Sequence, residues 1–272
     1  MTRPIAQEQY IAPELSNVFS DEDLFSQVDA LSGEVFRQVA SRRTIKVRLE
    51  DRDYFAKIHH GVGWGEILKN LFQGRLPILG ARNEWQAIRR LETVGVSTMS
   101  AALYCQEGID PARRRSAILT RSLEDKISLE DFETGDPVFK RRLIAAVARM
   151  ARVMHEAGVN HRDFYLCHFL MDEPAGEEPV LHLIDLHRAQ LRDRVPRRWL
   201  EKDLGGLLFS AFDKGLTRRD LLRFIRIYGG CSLREALSKN PGLWQGALQR
   251  AKALYLQDHD GLPGEVERLL AI

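Results

Sequence analysis

The sequence predicts an α+β fold in two lobes, with an antiparallel, β-rich N-terminal lobe and a mainly helical C-terminal one. Three observations carry that expectation. Between positions 33 and 59, three short segments of alternating apolar residues are joined by turn-like Ser41-Arg42-Arg43 and Asp51-Arg52-Asp53, the pattern of an antiparallel meander. From Phe139 onward, Leu143, Ile144, Val147, Met150, Ala151 and Met154 recur on one helix face. The period changes just after Thr120, so the lobes are expected to span 1–122 and 123–272.

Taken in order, the strands are expected at 33–40, at 44–50 with Ile45, Val47 and Leu49 on one face, and at 54–59 with Lys57 on the third strand. A helical spacing of Trp64, Ile67, Leu68, Leu71 and Phe72 follows, then a glycine- and proline-containing break at 74–80. A second helix over 83–94 carries Glu84, Trp85, Ile88 and Leu91, and strands are expected at 96–105 and 115–120. The long helix from Phe139 stops at Gly158, the residue type that closes helices in the left-handed conformation. A short apolar strand over 180–184 ends at Asp185, and the chain from Trp199 on reads as helical. Thr217 and Asp220 have the spacing of a capping box with Asp in place of Glu. The polar first 32 residues yield no element.

The composition excludes some classes. A chain that is 44% hydrophobic and 29% charged is not extensively disordered. With a net charge of only +2, the protein as a whole is not a binder of polyanions, and no nucleic-acid partner is expected. Cys105, Cys167 and Cys231 form no Cys-x-x-Cys pair, so neither a disulfide framework nor a thiolate zinc site is indicated and a reducing, cytosolic setting is favoured. Residues 1–8 lack the apolar run of a secretory signal, and no uncharged stretch approaches the roughly 20 residues of a membrane span.

The chemistry concentrates at four acidic and basic positions. Asp163 lies in His161-Arg162-Asp163, in a loop just after the helix-ending glycine, and Asp185 follows at the end of an apolar strand. Taken singly, each aspartate reads equally as a turn cap and Lys57 as a surface lysine. In the chain order Lys57, Glu84, Asp163, Asp185, they match the phosphate lysine, its glutamate, the hydroxyl-orienting aspartate and the metal aspartate of a kinase-like phosphotransferase. Glu66 and Glu92 compete with Glu84 as the lysine's partner. His168 stands five residues after Asp163, where a kinase loop carries Asn. Imidazole is a poor Mg²⁺ ligand, so metal ligation, a phosphate contact and simple packing all stay open for it.

Other positions admit two readings. Asp203, near the start of a helix, either holds the catalytic-loop backbone or is a plain first-turn aspartate. Arg188, Arg192, Arg194, Arg197 and Arg198 are either a solvated surface or a site for an acceptor bearing carboxylates or phosphates, with Arg188 and Arg192 the first candidates. The Trp64-to-Phe72 stripe, with Lys69 and Arg75 beside it, reads first as core packing and second as a helix lying on lipid. Arg218, Arg219, Arg223 and Arg226 form a solvated helix face or meet an acidic partner.

Longer blocks are more specific. FAKIHHGVGWGEI (55–67), LGARNEWQAIRRL (79–91), GVNHRDFYLCHFL (158–170) and IDLHRAQ (184–190) resemble the lipopolysaccharide core heptose(I) kinases, and the resemblance covers most of the chain after Ser32. It implies a protein-kinase-like bilobal fold, ATP with Mg²⁺, and transfer to the 4-hydroxyl of the first heptose of a lipid A–Kdo–heptose glycolipid. The setting implied is the cytoplasmic face of the inner membrane, with peripheral contact only. Carried onto this sequence, it makes Asp163 the catalytic aspartate, Asp185 the metal aspartate, Lys57 the phosphate lysine and Glu84 its partner. The kinase pattern would place Thr120 just before the hinge, with adenine read by the Arg121 carbonyl and the Leu123 amide. An acidic acyl-carrier-type protein is a further possible partner for the basic surface.

There are departures from protein kinases. No glycine-rich loop precedes Lys57, Asp185-Leu186-His187 replaces Asp-Phe-Gly, and no Ala-Pro-Glu follows. These point to a small-molecule or glycan kinase. The rival readings are an aminoglycoside-type or protein kinase and a non-catalytic pseudokinase, the last kept open by His168.

Overall fold

The computed structural model describes residues 8–39, 41–72, 77–173, 178–262 and 264. The chain divides into two compact units, one of residues up to Arg89 with Met99–Glu124, the other of Arg90–Thr98 with everything from Asp125 on.

The first unit is built on a six-stranded antiparallel sheet of order β1-β5-β6-β4-β3-β2. The strands are β1 (Glu8–Ile11), β2 (Glu34–Val39), β3 (Arg42–Leu49), β4 (Arg52–His59), β5 (Ala101–Glu107) and β6 (Arg115–Arg121). Alternation along β3 and β4 sends Ile45, Val47, Tyr54, Ala56 and Ile58 into one core, as a half-buried strand requires. Leu15 and the short helix α1 (Leu24–Asp29), through Leu24, Phe25 and Val28, cover that face. Neither β1 nor α1 was expected. A strand of four residues and a helix of six are too short for a periodic signal to rise above chance.

Two helices connect β4 to β5. In α2 (Gly63–Phe72) the expected core packing fails. Only Ile67 is buried, while Trp64, Leu68, Leu71 and Phe72 are exposed, Phe72 by 90%. Arg75 lies outside the described residues. In α3 (Arg82–Thr93) Ala87, Ile88 and Leu91 are buried, as their spacing predicts. The strand expected over 96–105 begins only at Ala101. Residues 97 and 98 belong to the second unit, where Leu183 donates its amide to the Ser97 carbonyl and Thr98 Oγ1 donates to the Leu183 carbonyl at 2.6 Å.

The second unit begins with β7 (Lys126–Ser128) and the long helix α4 (Pro137–Glu156). Asp136 caps α4 by accepting from the Val138 amide, and proline sits in its first turn, where its missing N–H costs nothing. A two-stranded ribbon pairs β8 (Val159–Asn160) with β11 (Gln190–Leu191), and a small sheet has the order β10-β9-β7, with β9 (Phe169–Asp172) and β10 (Leu181–Leu183). Gly158, at φ +79°, joins α4 to β8. A Cβ there would lie 1.8 Å from the Arg192 carbonyl oxygen, so both the backbone conformation and the space demand glycine.

The helices α5 (Arg197–Ser210), α6 (Arg218–Gly229), α7 (Leu233–Lys239) and α8 (Pro241–Asp258) complete this unit. Helix α5 packs on α8 and α4 on α6. At the start of α6, Thr217 and Asp220 make the expected capping box, each side chain reaching the other's backbone amide.

Candidate active site

In the first unit the alternation of β4 that buries Tyr54, Ala56 and Ile58 turns Lys57 to the opposite face. There its Nζ lies 2.8 Å from Glu84 Oε1, with the lysine side chain 15% exposed and the glutamate 1%. Glu84 sits in the first turn of α3, where the helix dipole favours a carboxylate. Its other oxygen, Oε2, is buried with no hydrogen-bond partner. A buried carboxylate half-satisfied by the protein depends on its cation. Glu66, the nearby competitor in sequence, bonds instead within α2 to Lys69 and Asn70. The guanidinium of Arg121 hydrogen-bonds Glu14 through Nε at 2.9 Å and through Nη2. The Ser122 amide, just before Leu123, donates to the Asp53 carbonyl at 2.9 Å.

In the second unit the loop after β8 is held from α5. The Asp203 carboxylate, completely buried, accepts from the His161 amide at 2.7 Å and the Arg162 amide at 2.8 Å, with His155 Nε2 at 3.3 Å. Asp203 thus anchors the backbone of the loop that carries Asp163, as in the first of its two sequence readings. The clamp matters because Arg162 has φ +76°, a conformation that costs a non-glycine residue about 1 kcal/mol or more. A second anchor was not legible: Ser210 Oγ, at the other end of α5, accepts from the Leu166 amide at 2.9 Å. Only a hydroxyl at a helix end hinted at it.

Asp163 presents Oδ1 to Arg188 Nη1 at 2.8 Å. Its carbonyl accepts from His168 Nδ1 at 2.6 Å. Because a carbonyl only accepts, that nitrogen carries the proton, and the other ring nitrogen, Nε2, lies 3.7 Å from Asp185 Oδ2. Asp185 itself sits at φ +59°, opening the tight turn that returns Arg188 to Asp163, and its Oδ1 is 2.6 Å from His187 Nδ1. His161 stacks on His168 at 5.4 Å and donates Nε2–H to the Ile184 carbonyl at 2.8 Å. Burial lowers its pKa, so it stays neutral. Asp163, His168, Asp185 and Arg188 therefore meet in one cluster. Arg192 is held apart from it, bonded to Asn160 Oδ1 and, at 2.6 Å, to Gln190 Oε1.

The model for the lipopolysaccharide kinase (Kdo/WaaP) family matches residues 26–228. The chain belongs to that family. Among its relatives is the lipopolysaccharide core heptose(I) kinase WaaP of Pseudomonas aeruginosa, 50% identical over 88% of this chain and 92% of that protein. The protein of the same name from Escherichia coli K12 is 46% identical over 88% of this chain and 94% of its own length. A solved structure described as WaaP in complex with acyl carrier protein superposes with a TM-score of 0.80 at 44% identity, covering 91% of this chain and 99% of that one.

Family membership makes the protein a kinase, a phosphotransferase that uses ATP. It also bears out the α+β, kinase-like fold expected from the meander and the long helix.

The donor set can be tested against Mg²⁺. Among the described residues, no group of three His, Cys, Asp or Glu side chains could form a protein-only cage. Mg²⁺ on a nucleotide needs none, since one or two carboxylates suffice beside phosphate oxygens and waters. Asp185 supplies a hard carboxylate oxygen, and His168 Nε2 lies 3.7 Å from its Oδ2. The residues fit the ion.

Proposed function

We propose that this protein phosphorylates the first heptose of the lipopolysaccharide inner core, at its 4-hydroxyl, with ATP and Mg²⁺. The observation that carries this is identity of 45–50% to three proteins named core heptose(I) kinase, over nearly all of their length. The nucleotide-binding role is assigned to the lobe of residues 1–122 and the catalytic role to that of 123–272.

In this reading Asp163 aligns the acceptor hydroxyl and receives its proton, acting mostly by positioning. Arg188 keeps the Asp163 carboxylate oriented and stands ready for an anionic acceptor, and Arg192, braced by Asn160 and Gln190, is the second arginine assigned to it. Lys57, fixed by Glu84, neutralises the α- and β-phosphates. The Arg121 carbonyl and the Leu123 amide read adenine. Asp185, assisted by His168, holds the metal, and bound Mg²⁺ supplies the positive charge that offsets charge on the transferring phosphoryl group.

Two features favour particular surroundings. No described helix is long and apolar enough to cross a membrane, yet α2 carries Trp64, Leu68, Leu71 and Phe72 exposed on one short helix, with Lys69 exposed beside them. Such a helix suits peripheral contact with the inner membrane at its cytoplasmic face, where a glycolipid acceptor resides. In the second unit an apolar cavity of about 600 Å³ is lined by Leu143, Val147, Leu204, Leu207, Trp244 and Leu248 among others. With the exposed Arg218, Arg219 and Arg226 of α6, it suits an acidic carrier protein bearing an acyl chain; the related solved structure is described as a complex with acyl carrier protein.

The test is transfer from labelled ATP to core glycolipid lacking the heptose phosphate, with the product mapped by mass spectrometry and NMR. One phosphate on the 4-hydroxyl is expected. Asp163→Ala should lower turnover about a hundred- to ten-thousandfold with ATP affinity kept. Transfer only to proteins or aminoglycosides, or full activity in the variant, would overturn the assignment.

A further inference from the structure

Trp199, in the first turn of α5, is the centre of an unusual concentration of charge. The Arg162, Arg192 and Arg198 guanidinium carbons lie 5.6, 5.4 and 5.2 Å from its ring centroid, and Lys202 Nζ lies at 5.6 Å. An indole has two faces, so four cations inside a sphere of 5.6 Å radius cannot all gain full attraction from it, while every pair among them repels. Among the described residues, none of the four makes an ion pair with a carboxylate; Arg192 hydrogen-bonds only neutral amide oxygens. The mutual repulsion is visible in their protonation. Burial first, then the neighbouring cations, lower the affinity of Arg162 and Lys202 for their protons.

Two donors in this group have no acceptor. Arg162 is more than nine-tenths buried, at 8% exposure, and its Nε lacks a hydrogen-bond partner, as does the buried Trp199 Nε1. Buried donors without partners are rare because their lost hydration is not replaced. The backbone adds to the same imbalance. Pro196 gives α5 no side-chain cap, and its first turn has no acidic residue but two arginines, at the end where the dipole is already positive. Each of these features is unfavourable alone, and an anion among the cations would offset their shared positive charge.

We propose that Trp199 with Arg162, Arg192, Arg198 and Lys202 forms a subsite for an oxyanion, phosphate or carboxylate, carried by the molecule that receives the phosphoryl group. The site adjoins the reacting centre, since Arg162 directly precedes Asp163 and its amide is held at 2.8 Å by Asp203, four residues after Trp199 in α5. It rests on the reading of Asp163 as the residue that aligns the acceptor. The planar guanidinium forks suit either anion, and the indole gives the flanking sugar a flat apolar surface.

The test uses the whole protein and the double variant Arg198→Gln/Lys202→Gln, which leaves Arg162 and Arg192 in place. With a core glycan carrying its native phosphates and carboxylates, KM for glycan should rise about ten- to a hundredfold, with kcat and KM for ATP unchanged. Dephosphorylated glycan and carboxyl-methylated glycan identify the anion: the one that lost it should show the same KM with wild type and variant. An equal KM of the two proteins for the fully acidic glycan overturns the subsite. Should the wild type transfer phosphate to no heptose glycan, the proposed function fails instead. The subsite is then judged by calorimetric titration with inorganic phosphate and with acetate. A tenfold or greater loss of affinity for one of them in the variant is expected, and equal affinity, or no binding by the wild type, overturns it.

Discussion

Charge is withdrawn from water in two contrasting ways in this molecule. At Lys57–Glu84 and at Asp203, each buried charge meets partners of the opposite sign or N–H donors at 2.7–2.8 Å. Around Trp199, cations meet one another and a ring. The first arrangement sets opposite charges, or a charge and its N–H donors, against each other within the protein and fixes geometry. The second is incomplete within the protein and gains its counter-charge from outside. Opposed charges that satisfy one another hold a fold together; like charges held together against repulsion are kept for a ligand.

The contrast can be broken most strongly at Asp203. Asp203→Ala should cost about 3–5 kcal/mol, because the His161 and Arg162 amides lose their acceptor and the φ +76° conformation loses its clamp. Urea unfolding measures it, and a loss below about 1 kcal/mol would show that Ser210 holds the loop alone. Next in size is Lys57→Met, which leaves Glu84 buried without its cation. About 3 kcal/mol should be lost, and Lys57→Met/Glu84→Gln should recover part of it. If the double variant is no more stable than the single one, the pair is not the unit described.

A smaller effect separates the two regions by pH. Burial lowers the pKa of His161, with His168 acting in the same sense and Asp203, Asp185 and the Ile184 carbonyl opposing it. The folded state therefore binds fewer protons than the unfolded chain, whose histidines titrate near about 6.5. Stability from this group is present above that pH and is lost as pH falls towards the lowered folded value. His161→Gln should flatten the fall in melting temperature between about pH 7 and 5. The smallest effect is the most diagnostic. Removing two mutually repelling cations with Arg198→Gln/Lys202→Gln should leave stability unchanged or raise it by a few tenths of a kcal/mol, the opposite sign to every variant above. A loss of more than 1 kcal/mol would place these side chains among the supports of the fold.

Much of this was legible because kinase chemistry uses few residue types in a fixed order. The meander, α3, α4 and the capping box at Thr217 followed from periodicity and caps, and Lys57 with Glu84 from the chain order of kinase residues. The failures have physical causes. The helical spacing of Trp64, Ile67, Leu68 and Leu71 announces an apolar face but not what covers it, and here only Ile67 finds the core. Segments such as β1, α1 and β7 are shorter than the window a pattern needs. The Arg188-to-Arg198 run showed charge, but its division into a brace on Asp163, a brace on Asn160 and an arm of the Trp199 cluster is tertiary. No spacing rule encodes it.

Gly158 links these themes. With hydrogen where any other residue has carbon, it lets the Arg192 carbonyl come within 1.8 Å of where a Cβ would stand, and its own carbonyl accepts from the Arg192 amide at 2.9 Å. That approach sets the spacing of the β8–β11 ribbon, in which Asn160 faces Gln190. Through Arg192 it also sets how far a guanidinium can lean over the indole. One methyl group at this joint would be felt at both ends of the reaction centre, by the loop that carries the base and by the arm that reaches for charge.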